Sequence, residues 1–152
     1  MQNLTPMKSK EVKELLKKFK EQWGFDEDMD YQFLLSSRDK VWIVNHDITK
    51  IDLEKLRTST IGLYIAELSD KGGIRLSIEG SQIIGPKANK NVVELNDKEA
   101  RSWLKGEELI WDEEFYGFAI IKHGKDYLGT GKFKEGKILN FVPKTRRILA
   151  PD

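Results

Sequence analysis

Val12, Leu15, Leu16, Phe19 and Trp23 recur at i, i+3, i+4, i+7 and i+11, the spacing of one apolar face of a helix. That stretch sets the terms for the rest of the chain. Most of the remaining sequence consists of apolar runs of a few residues cut by Gly, Pro, Asn and Asp, which leaves room for short strands and short helices only. The expected class is therefore α+β. Thr5 followed by Pro6 predicts the start of the first helix, and Gly24 predicts its end. Lys8, Lys10, Lys13, Lys17, Lys18 and Lys20 fall on its polar side, where a solvated face is the ordinary outcome and steering of a polyanion the alternative.

Beyond the acidic residues 26–30, the apolar runs 31–35 and 41–44 flank Ser36-Ser37-Arg38-Asp39-Lys40 and read as a β-hairpin. Asp47 or Thr49 is placed to cap a short helix through Ile51, Leu53 and Leu56, and residues 61–68 return to β structure. Lys71-Gly72-Gly73 reads as a turn, Ile74, Leu76 and Ile78 as an alternating strand, and residues 81–84 as a helical turn. Gly85-Pro86-Lys87-Ala88-Asn89-Lys90 then breaks every pattern. A boundary there divides the chain into residues 1–86 and 87–152.

The second unit opens on a strand, 92–95. Asn96 and Glu99 have the spacing of a helix capping box, Ala100, Trp103 and Leu104 form an apolar helix face, and Gly106 supplies a left-handed terminator. Strands are expected at 115–121, 127–131, 137–141 and 146–149, separated by His123-Gly124-Lys125-Asp126 and Lys134-Glu135-Gly136. One early helix and several short strands make a small barrel.

Charge sharpens this reading. The whole chain nearly cancels, with 26 Lys plus Arg against 25 Asp plus Glu, but residues 94–114 hold eight acidic and three basic side chains while residues 115–150 hold eight basic and two acidic. Such a local cationic excess suits a phosphate backbone, because each neutralised phosphate releases counterions; solubilised turns at Lys125, Lys134 and Lys137 are the plainer alternative. Lys144, Arg146 and Arg147 carry more weight, since the arginine fork suits bidentate contact with phosphate. Of Tyr127, Phe133 and Phe141, strand alternation leaves at most one to stack on a base.

The ordered motifs Tyr127-Leu128-Gly129-Thr130-Gly131-Lys132 and Gly136-Lys137-Ile138-Leu139-Asn140-Phe141-Val142-Pro143-Lys144-Thr145-Arg146-Arg147 resemble the C-terminal PUA-like domain of the Nop and Sun family of RNA 5-methylcytosine methyltransferases. Leu104-Lys105-Gly106-Glu107-Glu108-Leu109 and Gly117-Phe118-Ala119-Ile120-Ile121 are similar to that domain's helix, glycine and first long strand. The N-terminal part more loosely resembles the α/β pre-PUA domain of Nip-type ribosome-biogenesis factors, through Leu4-Thr5 opening a helix, Val41-Trp42-Ile43-Val44 in a hairpin and Ile74-Arg75-Leu76 in a strand. The resemblance implies an α/β pre-PUA domain followed by a PUA-like small β-barrel, as in standalone proteins of a kind found in archaea.

It also implies the site. Carried over residue by residue, RNA is met by Arg101, Lys105, Gly106, Lys132, Asn140, Lys144, Arg146 and Arg147, with Lys122 and Lys125 added from the basic segment. Lys and Arg are expected on phosphates, Gly106 to admit RNA backbone, and Asn140 either on a base edge or organising the bend before Pro143. The methyltransferases themselves carry a Rossmann-like catalytic domain and catalytic cysteines, whereas this sequence has no cysteine and no room for that domain, so binding without catalysis is expected.

Other chemistry has weaker footing. His46 and His123 sit in expected turns beside Asp47 and Asp126 without a nucleophile in view. Glu107, Glu108, Asp112, Glu113 and Glu114 lack metal-ligand spacing, and Gly129-x-Gly131 lies between strands rather than opening a helix. The expectation is a cytoplasmic, monomeric RNA-binding protein of rRNA or tRNA maturation or ribosome biogenesis, with no cofactor, metal or membrane. Its partners would be rRNA or tRNA, with an RNA methyltransferase or ribosome-assembly proteins as further candidates. The alternative is a protein-interaction adapter that docks an RNA-processing complex through its N-terminal domain.

Overall fold

The computed structural model describes residues 4–46, 62–69, 71 and 73–149. Among the described residues two five-stranded sheets form. The first is an antiparallel meander of β1 (Leu4–Pro6), β2 (Gln32–Ser36), β3 (Lys40–Val44), β4 (Leu63–Leu68) and β5 (Ile74–Leu76), in that spatial order. One face is covered by α1 (Ser9–Trp23), which buries Leu15, Phe19 and Trp23 against Phe33, Val41, Ile43 and Ile65. The opposite face carries a smaller cluster of Leu4, Leu34 and Val44 with Trp42 packed against it.

Helix α1 starts later than Thr5-Pro6 predicts. Residues 4–6 are instead an edge strand paired with β2, where Leu4 faces Ser36 and Pro6 faces Leu34. Proline tolerates that place because an edge strand leaves its missing N–H unneeded on one side. The first helical turn is closed by Glu11 Oε1, which accepts Lys8 N–H at 2.9 Å. Its end is as expected, with Gly24 at φ +70. The β2–β3 hairpin also stands, its turn tied by Ser36 Oγ, which accepts from Arg38 and Lys40 N–H. The helix expected through Ile51, Leu53 and Leu56 lies outside the described residues.

The strand expected to run through Ile78 stops at Leu76. Ser77 accepts Gly80 N–H at 2.9 Å on its hydroxyl and so caps α2 (Ile78–Ile84), which continues into a 3-10 turn over Gly85–Lys87. A side-chain oxygen at that position outcompetes extension of the strand.

The second sheet runs β6 (Val92–Glu94), β8 (Phe118–His123), β9 (Asp126–Lys134), β10 (Lys137–Asn140) and β7 (Leu109–Ile110). The β6–β8 pair is parallel and the rest antiparallel. The crossover between the parallel strands carries α3 (Asp97–Leu104). Sheet and helix enclose Leu95, Ala100, Trp103, Leu109, Ile121, Ile138 and Val142. The whole is α+β, with the second unit a PUA-like curled barrel.

Three expected strands differ. The one expected at 127–131 runs on as β9 to Lys134. β8 begins at Phe118 rather than 115, because Gly117 at φ +65 turns the chain just before it. Residues 146–149 form no strand: Pro143 opens a 3-10 turn at Lys144–Arg146, closed by Arg146 N–H on Pro143 O at 2.8 Å. The expected division at residue 86 falls inside the 3-10 turn, with one sheet on each side of it. The cores on those sides interlock, since Phe118 and Ile120 of β8 belong to the same cluster as Phe19, Trp23 and Ile74. Among the described residues no helix is long and apolar enough to cross a membrane.

Candidate nucleic-acid interface

Helix α3 is set by its two ends. Asn96 Oδ1 accepts Glu99 N–H at 2.8 Å while Glu99 Oε1 accepts Asn96 N–H at 2.9 Å, the reciprocal capping box the spacing predicts. Trp103 is fully buried and its indole N–H donates to Leu128 O at 3.0 Å, pinning the helix to β9. At the other end Gly106 adopts φ +90. A Cβ on Gly106 would overlap Nε, Cδ and Cζ of Arg147, so the close approach this glycine permits is that of an arginine of the same chain. RNA backbone was expected in that space; a guanidinium occupies it.

The tail is held against this helix end by hydrogen bonds and braced by one within itself. Ile148 N–H donates to Leu104 O at 2.9 Å, and Arg147 Nε donates to Val142 O at 3.0 Å. Asn140 completes the clasp: its Nδ2 donates to Trp103 O at 2.8 Å and Glu107 O at 2.9 Å, while its Oδ1 accepts Val142 N–H at 2.8 Å. With both donors and an acceptor engaged, the amide organises the bend, one of the two roles foreseen for it.

Lys105, Gly106, Asn140 and Arg147 thus meet in one place. Arg101 lies one turn back along α3 and is exposed, four residues from Lys105 and on the same side of the helix. Lys144 is exposed on the 3-10 turn. Arg146 leaves the group, because its Nη1 bridges both oxygens of Glu79 on α2 at 3.0 and 2.9 Å. Sequence reasoning missed Glu79; nothing near it in the chain signals a partner so distant.

The remaining predicted cations lie elsewhere. Lys122 and Lys125 belong to the β8–β9 hairpin, with Lys122 Nζ 5.8 Å from the Tyr127 ring centre. Lys132 Nζ stands 5.6 Å from the ring centre of Phe118, its cross-strand neighbour, on the face of the sheet turned toward the first unit. The three aromatics of which at most one was expected to stack on a base all pack within the fold: Phe133 meets Phe115, Phe141 meets Phe118, and Tyr127 packs on the main core. Tyr116, which sequence reasoning absorbed into a strand, is 85% exposed. The turn-forming Gly117 after it was the available signal.

The histidines pair with other aspartates than their sequence neighbours, His46 with Asp30 at 2.9 Å and His123 with Asp97 at 2.7 Å. Among the described residues no three His, Asp or Glu side chains converge on a common point that would hold a metal. At the seam between the sheets Arg75 stacks on Phe141, 4.9 Å from its centre, and pairs with Glu67. Burial pushes the neighbouring Tyr64 phenol above its ordinary pKa, against the pull of Arg75.

A curled sheet crossed by a capped helix, with a basic tail folded over the helix end, defines a PUA-like module. Residues 90–148 match the family described as the methyltransferase RsmF PUA domain. Curated relatives extend the likeness. The chain is 29% identical over 142 residues to the ribosomal RNA small subunit methyltransferase F of Aeromonas salmonicida, covering 92% of this chain and 29% of that protein. To the enzyme of the same name from Vibrio cholerae it is 26% identical over 136 residues, covering 89% and 28%, and to that of Shewanella oneidensis 27% over 115 residues, covering 74% and 24%. The chain therefore spans less than a third of these relatives, and the alignment takes in the first sheet as well as the second. These relatives are bacterial and lend no support to the archaeal origin that the resemblance implied.

Proposed function

We propose that the chain binds RNA through the face formed by Arg101, Lys105, Gly106, Lys144 and Arg147, serving the maturation or modification of ribosomal RNA as a binding module without catalysis. The observation that carries this reading is the fixed guanidinium of Arg147. Its Nε is tied to Val142 O, and the side chain packs against Gly106 at the end of α3. An arginine held in one geometry loses less entropy on meeting a phosphate than a free one. Lys105 and Lys144 flank it from the helix end and the tail. The relatives' name supports ribosomal RNA over transfer RNA.

Absence of catalysis is supported by composition: with no cysteine in 152 residues, these residues offer no thiolate to attack a base. An RNA methyltransferase or ribosome-assembly proteins are the partners such a role would serve. Filter binding to ribosomal RNA fragments over a salt series tests it. Wild-type affinity should fall steeply with salt, and changing Lys105, Lys144 and Arg147 together to Ala should weaken binding to all sequences and flatten the slope by two to three, at about 0.9 for each phosphate no longer neutralised. Unchanged affinity in that variant would displace the site from this face. Methyl transfer to RNA from S-adenosylmethionine by the purified chain would overturn the non-catalytic role.

A further inference from the structure

A groove of about 730 Å³ runs along the end of α1, lined among others by Lys18, Lys71, Lys90 and Tyr116. Hydrogen bonds fix the backbone of its walls. Trp23 O accepts N–H from both Asn89 and Lys90, at 2.9 and 3.3 Å, which fastens the end of α1 to the start of the second unit. Gln22 is spent in both directions on Ile74, donating to its carbonyl at 3.2 Å and accepting its N–H at 2.9 Å. Asn91, at φ +56, donates from Nδ2 to the carbonyls of Tyr116 and Phe118 at 3.3 and 3.1 Å. The backbone under Tyr116 is thereby held while its ring stays 85% exposed.

A large aromatic ring left in water on a fixed backbone is a flat surface ready to be covered. Around it stand three exposed lysines and one carboxylate, Glu21, among the described lining residues. The groove does not end there. Lys90 and Asn91 also line an adjoining depression of about 350 Å³ that contains Lys122. The cations thus form a track rather than a point, which fits an extended polyanion better than a single phosphate.

We propose that this track is a second RNA-contact surface, one that holds an unpaired segment with a base stacked on Tyr116 and the adjoining phosphates against Lys18, Lys71 and Lys90. It deepens the RNA-binding reading above and rests on it. Single-stranded nucleic acid is favoured over an acidic peptide because the pairing of an exposed planar ring with spaced lysines matches alternating base and phosphate. The track would let the chain grip a helix at one face and the unpaired strand leaving it at another.

The test uses fluorescence anisotropy of the full chain with a labelled unstructured oligouridylate and with an RNA hairpin. Tyr116→Ala should weaken oligouridylate binding about tenfold, the effect of losing one stacked base, while Tyr116→Phe holds it. Changing Lys18, Lys71 and Lys90 together to Gln should lower the logarithmic salt slope by about two, at roughly 0.7 per phosphate on a single strand. All four side chains are exposed, so folding should survive, and thermal melts verify it. Photocross-linking of a thiouridine-substituted strand should label Tyr116 or its neighbours. Should the wild type bind RNA while these variants match it and cross-links fall elsewhere, the track is wrong and the module face stands. Should the wild type bind neither RNA, both readings fall. Binding of polyglutamate here in place of oligouridylate would overturn the assignment to RNA.

Discussion

Asn140 shows how one side chain can look like a recognition residue and act as a joint. Its amide satisfies Trp103 O, Glu107 O and Val142 N–H at once, so removing it strands three backbone groups at the junction of helix, sheet and tail. Asn140→Ala should cost about 2 kcal/mol in urea unfolding, near the middle of the range for unpaired polar groups. Under conditions where it is folded, RNA affinity per folded molecule should change little. A large separate loss of affinity would return Asn140 to the base-reading role. Tyr64 offers a second test at this scale. Burial raises its pKa above the unfolded value of about 10, so the folded state favours the neutral phenol. That contribution is complete below the unfolded pKa and is lost as pH rises through the folded one. Urea midpoints should therefore fall at strongly alkaline pH, and Tyr64→Phe should flatten that fall; an identical alkaline slope in the variant would show that Tyr64 contributes none of it.

Elements were legible where their signals are local. The apolar stripe of α1, the left-handed Gly24, the Ser36–Lys40 turn and the Asn96/Glu99 capping box each lie within a few residues of the structure they organise. The misread segments depend on distant partners. Leu4–Pro6 becomes a strand only because β2, some thirty residues on, pairs with it, and β7 exists as two residues because β10 reaches it. The tail was read as a strand from its apolar residues, yet Pro143 and the Asn140 bend turn it onto α3 instead. The site followed the same rule. Its cations were visible, but the carboxylate that claims Arg146 sits on α2, 67 residues away. This changes which tail arginine matters. An intramolecular partner competes with phosphate, so Arg146→Ala should reduce RNA affinity less than Arg147→Ala. Glu79→Gln should raise affinity a few-fold by removing both the competitor and a negative charge beside the face. Stability should hardly move, because exposed pairs contribute about 0–1 kcal/mol. Equal losses for the two arginine variants, read in parallel titrations, would mean that the pair opens freely.

At the scale of the molecule, the sequence pattern suggested two units joined at residue 86, while the contacts across that point resemble a shared interior. Trp23 donates its indole N–H to Phe118 O at 2.9 Å from within the main core. Thr130, 2% exposed on β9, exchanges hydrogen bonds with Leu76 of β5, accepting its N–H at 3.2 Å and donating to its carbonyl at 3.3 Å. Gly129 N–H donates to Ser81 Oγ on α2 at 2.8 Å, and a side chain at Gly85 would collide with Tyr127. Gly129 of the Leu-Gly-Thr-Gly stretch, read from sequence as a family motif, is therefore also a place where the second sheet meets the first unit, whereas Gly131 makes room for Trp103 and Ile138 of the second unit itself. If the seam is an interior, both units open together. Thr130→Val keeps the shape but leaves Leu76 N–H and C=O unpaired, at a cost of about 2 kcal/mol. Native-state hydrogen exchange then separates the alternatives. The slowest amides of β4 and of β8 should open with one common free energy in the wild type, and that value should drop by the same amount in both sheets of the variant. Independent domains would give two opening energies, with the loss confined to the less stable one. A common opening would mean that a ligand held at the α3 end of the second unit is felt by α1, and so by any partner bound there.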